Sequence, residues 1–320
     1  MEQIIDIINS NENFVLSGHV GPDGDSIGSC FALALALNRI GKNVQVVLES
    51  FMYKFGVIPG KQFLFTGDLD ELMPEVFIAL DCADPDRLGA ALALFERAKI
   101  TVCIDHHETN IGFADYNYIE ANASSASEMA FRVIEHLTEP TAEIAAAVYA
   151  GMVCDTGGFR YNATAKSTME IAARLMEKIP FTQIYNELMH QHRFAAGKAL
   201  GVALENSART RNKKIVYTFV TREMLANVGA EISDLEGVVE YLMGTRNARA
   251  AIFIYEKGPD KVKISLRSQG PNMGRVAKKF GGGGHVLAAG ATVDGTVSDV
   301  MERALELVRN EVAIYDKKKH

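Results

Sequence analysis

Phe14-Val15-Leu16-Ser17-Gly18-His19-Val20-Gly21-Pro22-Asp23-Gly24-Asp25 begins apolar and ends acidic. Its first residues read as a buried strand. Residues 26–40, almost all small or apolar, read as a helix buried between layers, with Gly41 as its C-cap. The segment joining them is therefore a strand-to-helix turn at the carboxyl edge of a sheet. Its glycines and proline make it tight and open to close approach by a ligand. One imidazole, His19, and two carboxylates, Asp23 and Asp25, crowd into it. A helix start needs one cap, which Asp25 or Ser26 would supply. That leaves His19 and Asp23 to be explained.

The pattern repeats outward from this turn. Val44-Gln45-Val46-Val47-Leu48 reads as a second strand. Val76-Phe77-Ile78-Ala79-Leu80 is a continuous apolar strand of the kind covered on both faces, and it ends at Asp81-Cys82-Ala83-Asp84. A helix is expected over 86–98. Residues 100–104 form another apolar strand, which runs into Asp105-His106-His107. Strands and helices alternating over short loops predict an α/β, doubly wound parallel-sheet domain. Ser125 and Glu128 have capping-box spacing. An alanine-rich helix opens at Thr141, runs to about Cys154 and stops at Asp155-Thr156-Gly157-Gly158. From 192 onward strands and helices mix, which predicts a smaller α+β domain. The expected layout is a first domain over 1–187, a helical connector over 188–209 and a second domain over 210–320. The lysines from Lys317 read as a frayed tail.

Bulk properties narrow the function. With 320 residues and 48% hydrophobic residues the chain builds ordinary cores. No apolar run is long enough to span a bilayer, and the N-terminal acids do not resemble a signal peptide, so a cytoplasmic protein is expected. A net charge of -7 argues against a broad basic surface for long duplex nucleic acid. The four cysteines lack Cys-x-x-Cys spacing, so no zinc ribbon or dithiol motif is expected. Cys82, Cys103 and Cys154 adjoin the acidic clusters, which raises the expectation that oxidants affect the site. A dinucleotide-binding oxidoreductase is disfavoured, because no Gly-x-Gly-x-x-Gly follows the first strand.

Ligands bind at the carboxyl ends of strands in open α/β sheets. A lone aspartate there usually caps a helix. Four clusters, His19/Asp23/Asp25, Asp81/Asp84, Asp105/His106/His107 and Asp155, are a different matter. Carboxylates cannot share a site unpaired. Oxygen and imidazole donors without thiolate point to Mn²⁺ or Mg²⁺. The donors suffice for two cations about 3.5–4 Å apart, an arrangement suited to phosphoryl transfer.

His19-x-x-x-Asp23-x-Asp25, the Asp81 strand end, Asp105-His106-His107 and Asp155 resemble, in order, the motifs of the DHH phosphoesterases. Gly281-Gly282-Gly283-Gly284-His285 and Ala288-Ala289-Gly290 resemble the signature of the DHH-associated domain. The likeness spans the chain and is nearest to the oligoribonuclease/adenosine 3′,5′-bisphosphate phosphatase group. It implies two divalent cations, Mn²⁺ preferred and Mg²⁺ accepted. His19, Asp23 and Asp81 would hold one, and Asp25, Asp81, His106 and Asp155 the other. Asp105 would orient a histidine, and His107 would face the scissile phosphate. Arg267, Gly282, Gly283, Gly284 and His285 would bind substrate phosphate. The implied partners are short single-stranded oligoribonucleotides, dinucleotides or nucleotide bisphosphates, with no membrane and no long duplex; a homodimer is left open. Rival readings are a phosphodiesterase for linear di-adenylate or cyclic dinucleotides, and a non-catalytic nucleotide-binding protein. A manganese pyrophosphatase fits less well with the glycine-rich second domain.

Overall fold

The apolar runs of the first half pair side by side. β1 (Asn13–Ser17), β2 (Asn43–Val47), β3 (Val76–Leu80), β4 (Ile100–Asp105) and β5 (Tyr116–Ile119) form one sheet in the order β2-β1-β3-β4-β5. Every pairing is parallel. These elements belong to a computed structural model of the chain, which describes residues 1–318. The helices of this half are α1 (Glu2–Ser10), α2 (Gly24–Arg39), α3 (Leu92–Arg97), α4 (Ala126–Leu137), α5 (Ala142–Asp155), α6 (Lys166–Met176) and α7 (Phe181–Met189).

Side chains alternate across the sheet, and both faces are covered. Phe14, Leu16, Val44, Val46, Ile78 and Leu80 point into a core shared with α1, α2, α4 and α5. Val15, Val47, Phe77 and Ala79 point the other way, onto Leu88, Ala91 and Leu94. This is the doubly wound architecture expected. α2 is buried from Gly24 to Leu37, which explains its lack of a polar face.

Two local expectations fail. The helix expected over 86–98 is split into a 3₁₀ segment, Pro85–Ala91, and α3. Gly89, at φ 55° and ψ -129°, breaks the run. The edge strand β5 was not anticipated, because its half-exposed Tyr-Asn-Tyr-Ile lacks a clear apolar pattern.

The second half forms its own sheet. Its elements are α8 (Phe194–Glu205), β6 (Ala208–Arg209), β7 (Ile215–Val220), α9 (Arg222–Val228), α10 (Val238–Met243), β8 (Ala250–Gly258), β9 (Lys261–Ser268), α11 (Met273–Lys278), β10 (Gly283–Gly284), β11 (Ala288–Asp294) and α12 (Val297–Lys317). The strand order is β10-β11-β9-β8-β7-β6, with β7 and β8 parallel and the other pairs antiparallel. α11 and α12 cover one face, and α8, α9 and α10 cover the other. The chain divides into two units, Met1–Gln191 and His192–His320. α8, which falls in the segment expected as a connector, buries Ala199 and Ala203 against Val216 and Val220 of the second unit. The tail expected to fray is helical through Lys317; Lys319 and His320 lie outside the described residues.

Candidate metal centre

β3 delivers the central residue. Asp81 follows its last position, is 3% exposed, and takes φ 55°, a left-handed conformation that an aspartate tolerates. Its two carboxylate oxygens face different partners. Oδ2 lies 3.5 Å from His19 Nε2, and Oδ1 lies 3.5 Å from His106 Nε2. One carboxylate thus divides between two imidazoles delivered by β1 and β4.

On the first side, His19 Nε2 is also 3.9 Å from Asp23 Oδ2. Asp23 is the N-cap of α2: its Oδ1 accepts from the N–H groups of Asp25 and Ser26 at 2.9 and 3.1 Å. The expectation that Asp25 or Ser26 caps this helix is therefore corrected. Asp23 caps with one oxygen and keeps the other for the site.

On the second side, His106 Nε2 lies 3.6 Å from Asp155 Oδ2, at the last residue of α5. Asp25 joins them from the first turn of α2. Its carboxylate is 1% exposed and accepts the N–H groups of Ala126 at 2.6 Å and Ser127 at 3.0 Å. These are first-turn donors of α4, so the helix dipole stabilises the charge there. Sequence reading missed Ala126 and Ser127 because backbone donors leave no side-chain signal. Their only clue is the helix start at Ser125, whose Oγ caps Glu128 N–H at 3.0 Å. Glu128 does not complete a capping box on Ser125; it bonds Ser124 and Thr168. Gly151 of α5 makes room: a Cβ there would stand 1.9 Å from Ser127 Oγ and 2.9 Å from Asp25 Oδ1.

His107 borders the cluster, with Nδ1 3.8 Å from Asp81 Oδ1. Its Nδ1 is 2.7 Å from Asp105 Oδ1, and the other Asp105 oxygen accepts from Asn110 Nδ2 at 2.7 Å. Asp105 is fully buried, whereas the His107 side chain is 38% exposed. With Nδ1–H donating to the carboxylate, Nε2 is free on the open side. Asn110 was also missed, since an Asn three residues past His107 reads as a turn.

The ion-free cluster shows its electrostatic tension. Burial pushes Asp155 up to about 6, with repulsion from Asp81 and Asp23 adding to it and His106 opposing. Burial, followed by repulsion from Asp81 and Asp155, holds Asp25 well above the usual carboxylate range. His106 rises to about 10: burial works against its charge, but the bond to Asp81 and the surrounding carboxylates outweigh it. Asp81 falls to about 2 because its bonds to His106 and His19 overcome the desolvation cost. Protons and imidazolium charge here do what a cation would do better. The thiols are not activated. Burial raises Cys82 and Cys154 to about 12 and Cys103 higher still, so the expectation of oxidant-sensitive thiolates finds no support.

Among the described residues, three donor groups have ligand atoms within 4.8 Å of one another: His19/Asp23/Asp81, Asp25/His106/Asp155 and Asp81/His106/His107. The first two share no residue, and Asp81 of the first lies 3.5 Å from His106 of the second. The DHH family's N-terminal domain matches residues 13–152, and the DHHA1 domain matches residues 212–313. A bifunctional oligoribonuclease and PAP phosphatase NrnA of Thermus thermophilus is 32% identical over 305 residues, covering 93% of this chain and 89% of its own.

The chain belongs to the DHH family.

An NrnA of the same description from Bacillus subtilis is 28% identical over 302 residues, covering 91% of this chain and 92% of its own. The crystal structure of an exopolyphosphatase-related protein from Bacteroides fragilis superposes with a TM-score of 0.91 at 25% identity, covering 99% of this chain and 98% of that one. DHH phosphoesterases are hydrolases that use divalent metal ions, and the donor set described above is of that kind.

The DHHA1 unit treats its expected phosphate donors unequally. Gly281 takes φ 75°, and the N–H groups of Gly281 and Gly282 donate to Lys278 O and Ala277 O at 3.1 and 3.0 Å. This is a Schellman stop for α11. Of the three glycines expected to donate to phosphate, Gly282 therefore spends its N–H on closing a helix, together with Gly281. Gly283 and Gly284 form β10, opposite Gly290 and Ala289 of β11, and His285 N–H donates to Ala288 O at 2.7 Å. In this register Gly284 falls between hydrogen-bonded pairs, so its N–H points away from β11. His285 is exposed. Arg267, opposite Ala288 on β9, has its Nη2 2.6 Å from Glu240 Oε1.

Proposed function

We propose that this chain is a two-cation phosphoesterase of the cytoplasm. It hydrolyses short oligoribonucleotides and dinucleotides to mononucleotides, and adenosine 3′,5′-bisphosphate to AMP. The observation that carries this reading is Asp81, with one oxygen toward each of two donor groups that share no residue. The donors fit hard divalent cations: they are carboxylate oxygens and imidazole nitrogens with no thiolate, and Mn²⁺ accepts that mixture better than Mg²⁺ does. His19, Asp23 and Asp81 would hold one ion; Asp25, Asp81, His106 and Asp155 would hold the other. Bound there, the pair supplies Lewis-acid activation of water and of the phosphoryl oxygens.

The chain's own groups do the rest. Asp23 fixes the start of α2 with one oxygen, so the position of the other is set by the helix. Ala126 and Ser127 N–H groups orient the Asp25 carboxyl toward the site. Asp105 holds the His107 ring, whose Nε2 carries a proton to or from the phosphoryl group. In the DHHA1 unit, Arg267, Gly284 N–H and His285 are the phosphate donors, and an incoming phosphate must displace Glu240 from Arg267. The short substrates follow from the relatives' names and from the absence of a basic surplus, the net charge being -7.

The test is a turnover panel with the full-length protein and Mn²⁺. It compares a dinucleotide, a trinucleotide, adenosine 3′,5′-bisphosphate, a linear di-adenylate and a cyclic dinucleotide. Mononucleotide release from the first three, lost in chelator and in His107→Ala, is expected. Faster turnover of the cyclic substrate would move the assignment to a signalling phosphodiesterase. Binding without turnover of any would make the chain a non-catalytic nucleotide-binding protein.

A further inference from the structure

Arg87 stands beside His19 at the rim of the metal centre, and among the described residues no carboxylate pairs with it. It lies in the 3₁₀ segment after β3. Its backbone is fixed at both ends: its N–H donates to Asp84 O at 3.0 Å, and its carbonyl accepts Val20 N–H at 2.7 Å. The second bond ties it to the loop that carries His19. Asp84, whose carbonyl Arg87 N–H meets, spends Oδ1 on Asp86 N–H at 2.9 Å. Arg97, Arg132 and Arg174 of the same unit each pair with a carboxylate. Among the described residues, the one side-chain atom that the Arg87 guanidinium meets at hydrogen-bond distance is His19 Nδ1, 3.1 Å from Nη2.

That contact is unstable by its own chemistry. His19 Nδ1 also lies 2.9 Å from Val20 O. A carbonyl requires the proton on Nδ1, whereas a guanidinium requires a lone pair there. When Nε2 serves a cation, Nδ1 must carry the proton, and Val20 O takes it. The guanidinium then loses its acceptor. It remains exposed, anchored beside the His19/Asp23/Asp81 group, with its fork of N–H donors unfilled. Such a fork matches the oxygens of a phosphoryl group.

We propose that Arg87 binds substrate phosphate at the His19 side of the metal centre, gripping the non-bridging oxygens of the phosphoryl group. This rests on the phosphoesterase reading above and adds a protein donor within the DHH unit itself. A purely structural Arg87 would instead pin the His19 loop.

The experiment uses full-length protein saturated with Mn²⁺, with AMP as probe in isothermal titration calorimetry. Wild type must first release mononucleotide from a dinucleotide; failure there ends the phosphoesterase reading and leaves the inference without its premise. With wild type active, Arg87→Ala is expected to raise the Kd for AMP by about tenfold or more. Arg87→Lys, a point charge without the fork, is expected to recover part of the loss. The Kd for Mn²⁺ and the thermal midpoint should stay at wild-type values. AMP affinity within twofold of wild type in Arg87→Ala, roughly the scatter of such a titration, overturns the proposal. So does a parallel loss of Mn²⁺ affinity or of thermal midpoint, which would mark Arg87 as the pin of the His19 loop.

Discussion

Gly24 separates the two carboxylates of the β1–α2 turn, and the packing around it can be tested directly. A Cβ at this position would lie 2.2 Å from Cys154 Sγ, 2.7 Å from Cys154 Cβ and 3.1 Å from Phe55 Cε1. Its φ is not positive, so alanine meets no backbone strain, and in a helix's first turn it would by propensity be neutral or better. The whole penalty of Gly24→Ala is therefore steric. Overpacking of this kind costs about 1–3 kcal/mol, and in a unit of this size each kcal/mol lowers the thermal midpoint by about 2–4 °C. Cys154→Ala alone removes a half-buried sulfur at a cost of about 1 kcal/mol. In the double variant the Sγ contact is gone but the Cβ contact stays, so a favourable coupling of about 1 kcal/mol is expected. Thermal unfolding of the four proteins, with and without Mn²⁺, supplies the cycle. Because Cys154 adjoins Asp155, and Gly24 sits between Asp23 and Asp25, Gly24→Ala should also weaken Mn²⁺ binding. The reasoning is refuted if Gly24→Ala stays within about 0.5 kcal/mol of wild type, or if the two single effects simply add.

Further outcomes follow from the same geometry. At a cation concentration about a hundred times Kd, each site adds about 2.7 kcal/mol of stability; if Asp81→Asn weakens each about a hundredfold, the gain falls to about 0.4 kcal/mol, and equal thermal shifts in the two proteins would contradict a shared Asp81. Asp155, raised to about 6, binds its proton more tightly folded than unfolded. Its contribution to stability is thus complete below its ordinary value of 3.8 and is lost as pH rises through about 6. Chelated protein should lose stability across that window, while the stabilisation by Mn²⁺ should grow across it; pH-resolved melts that show both falling together would speak against Asp155 as a ligand. Asp105→Asn should reduce kcat strongly with little change in Mn²⁺ affinity, since Asp105 touches His107 and Asn110 but neither principal donor group.

The clustering of the candidate donors was legible because most of them end apolar strands. Leu80 to Asp81 and Ile104 to Asp105 are abrupt changes from buried apolar to charged, and a parallel sheet aligns such ends along one edge. The same reasoning named Asp23 as a ligand but missed that it is also the helix cap. One of its oxygens caps α2, the bland alternative for any aspartate at a helix start, while the other faces His19. It also could not find Ala126 and Ser127, which act through backbone N–H groups. In the second half the glycine run looked uniform, yet Gly281 and Gly282 end α11 while Gly283 and Gly284 begin a strand. Composition alone cannot divide four identical residues. β10 and β5 were missed for a related reason: one has no side chains to pattern and the other is half exposed at a sheet edge.

The claim at the centre of this account is that two separate donor groups hold two cations with Asp81 between them. Direct metal analysis of the Mn²⁺-equilibrated full-length protein tests it. Two Mn²⁺ per chain are expected in wild type. One is expected in Asp23→Ser, where the hydroxyl keeps the helix cap but not the carboxylate, and one in Asp155→Asn. A single Mn²⁺ in wild type, or the loss of both ions in Asp23→Ser, would contradict it.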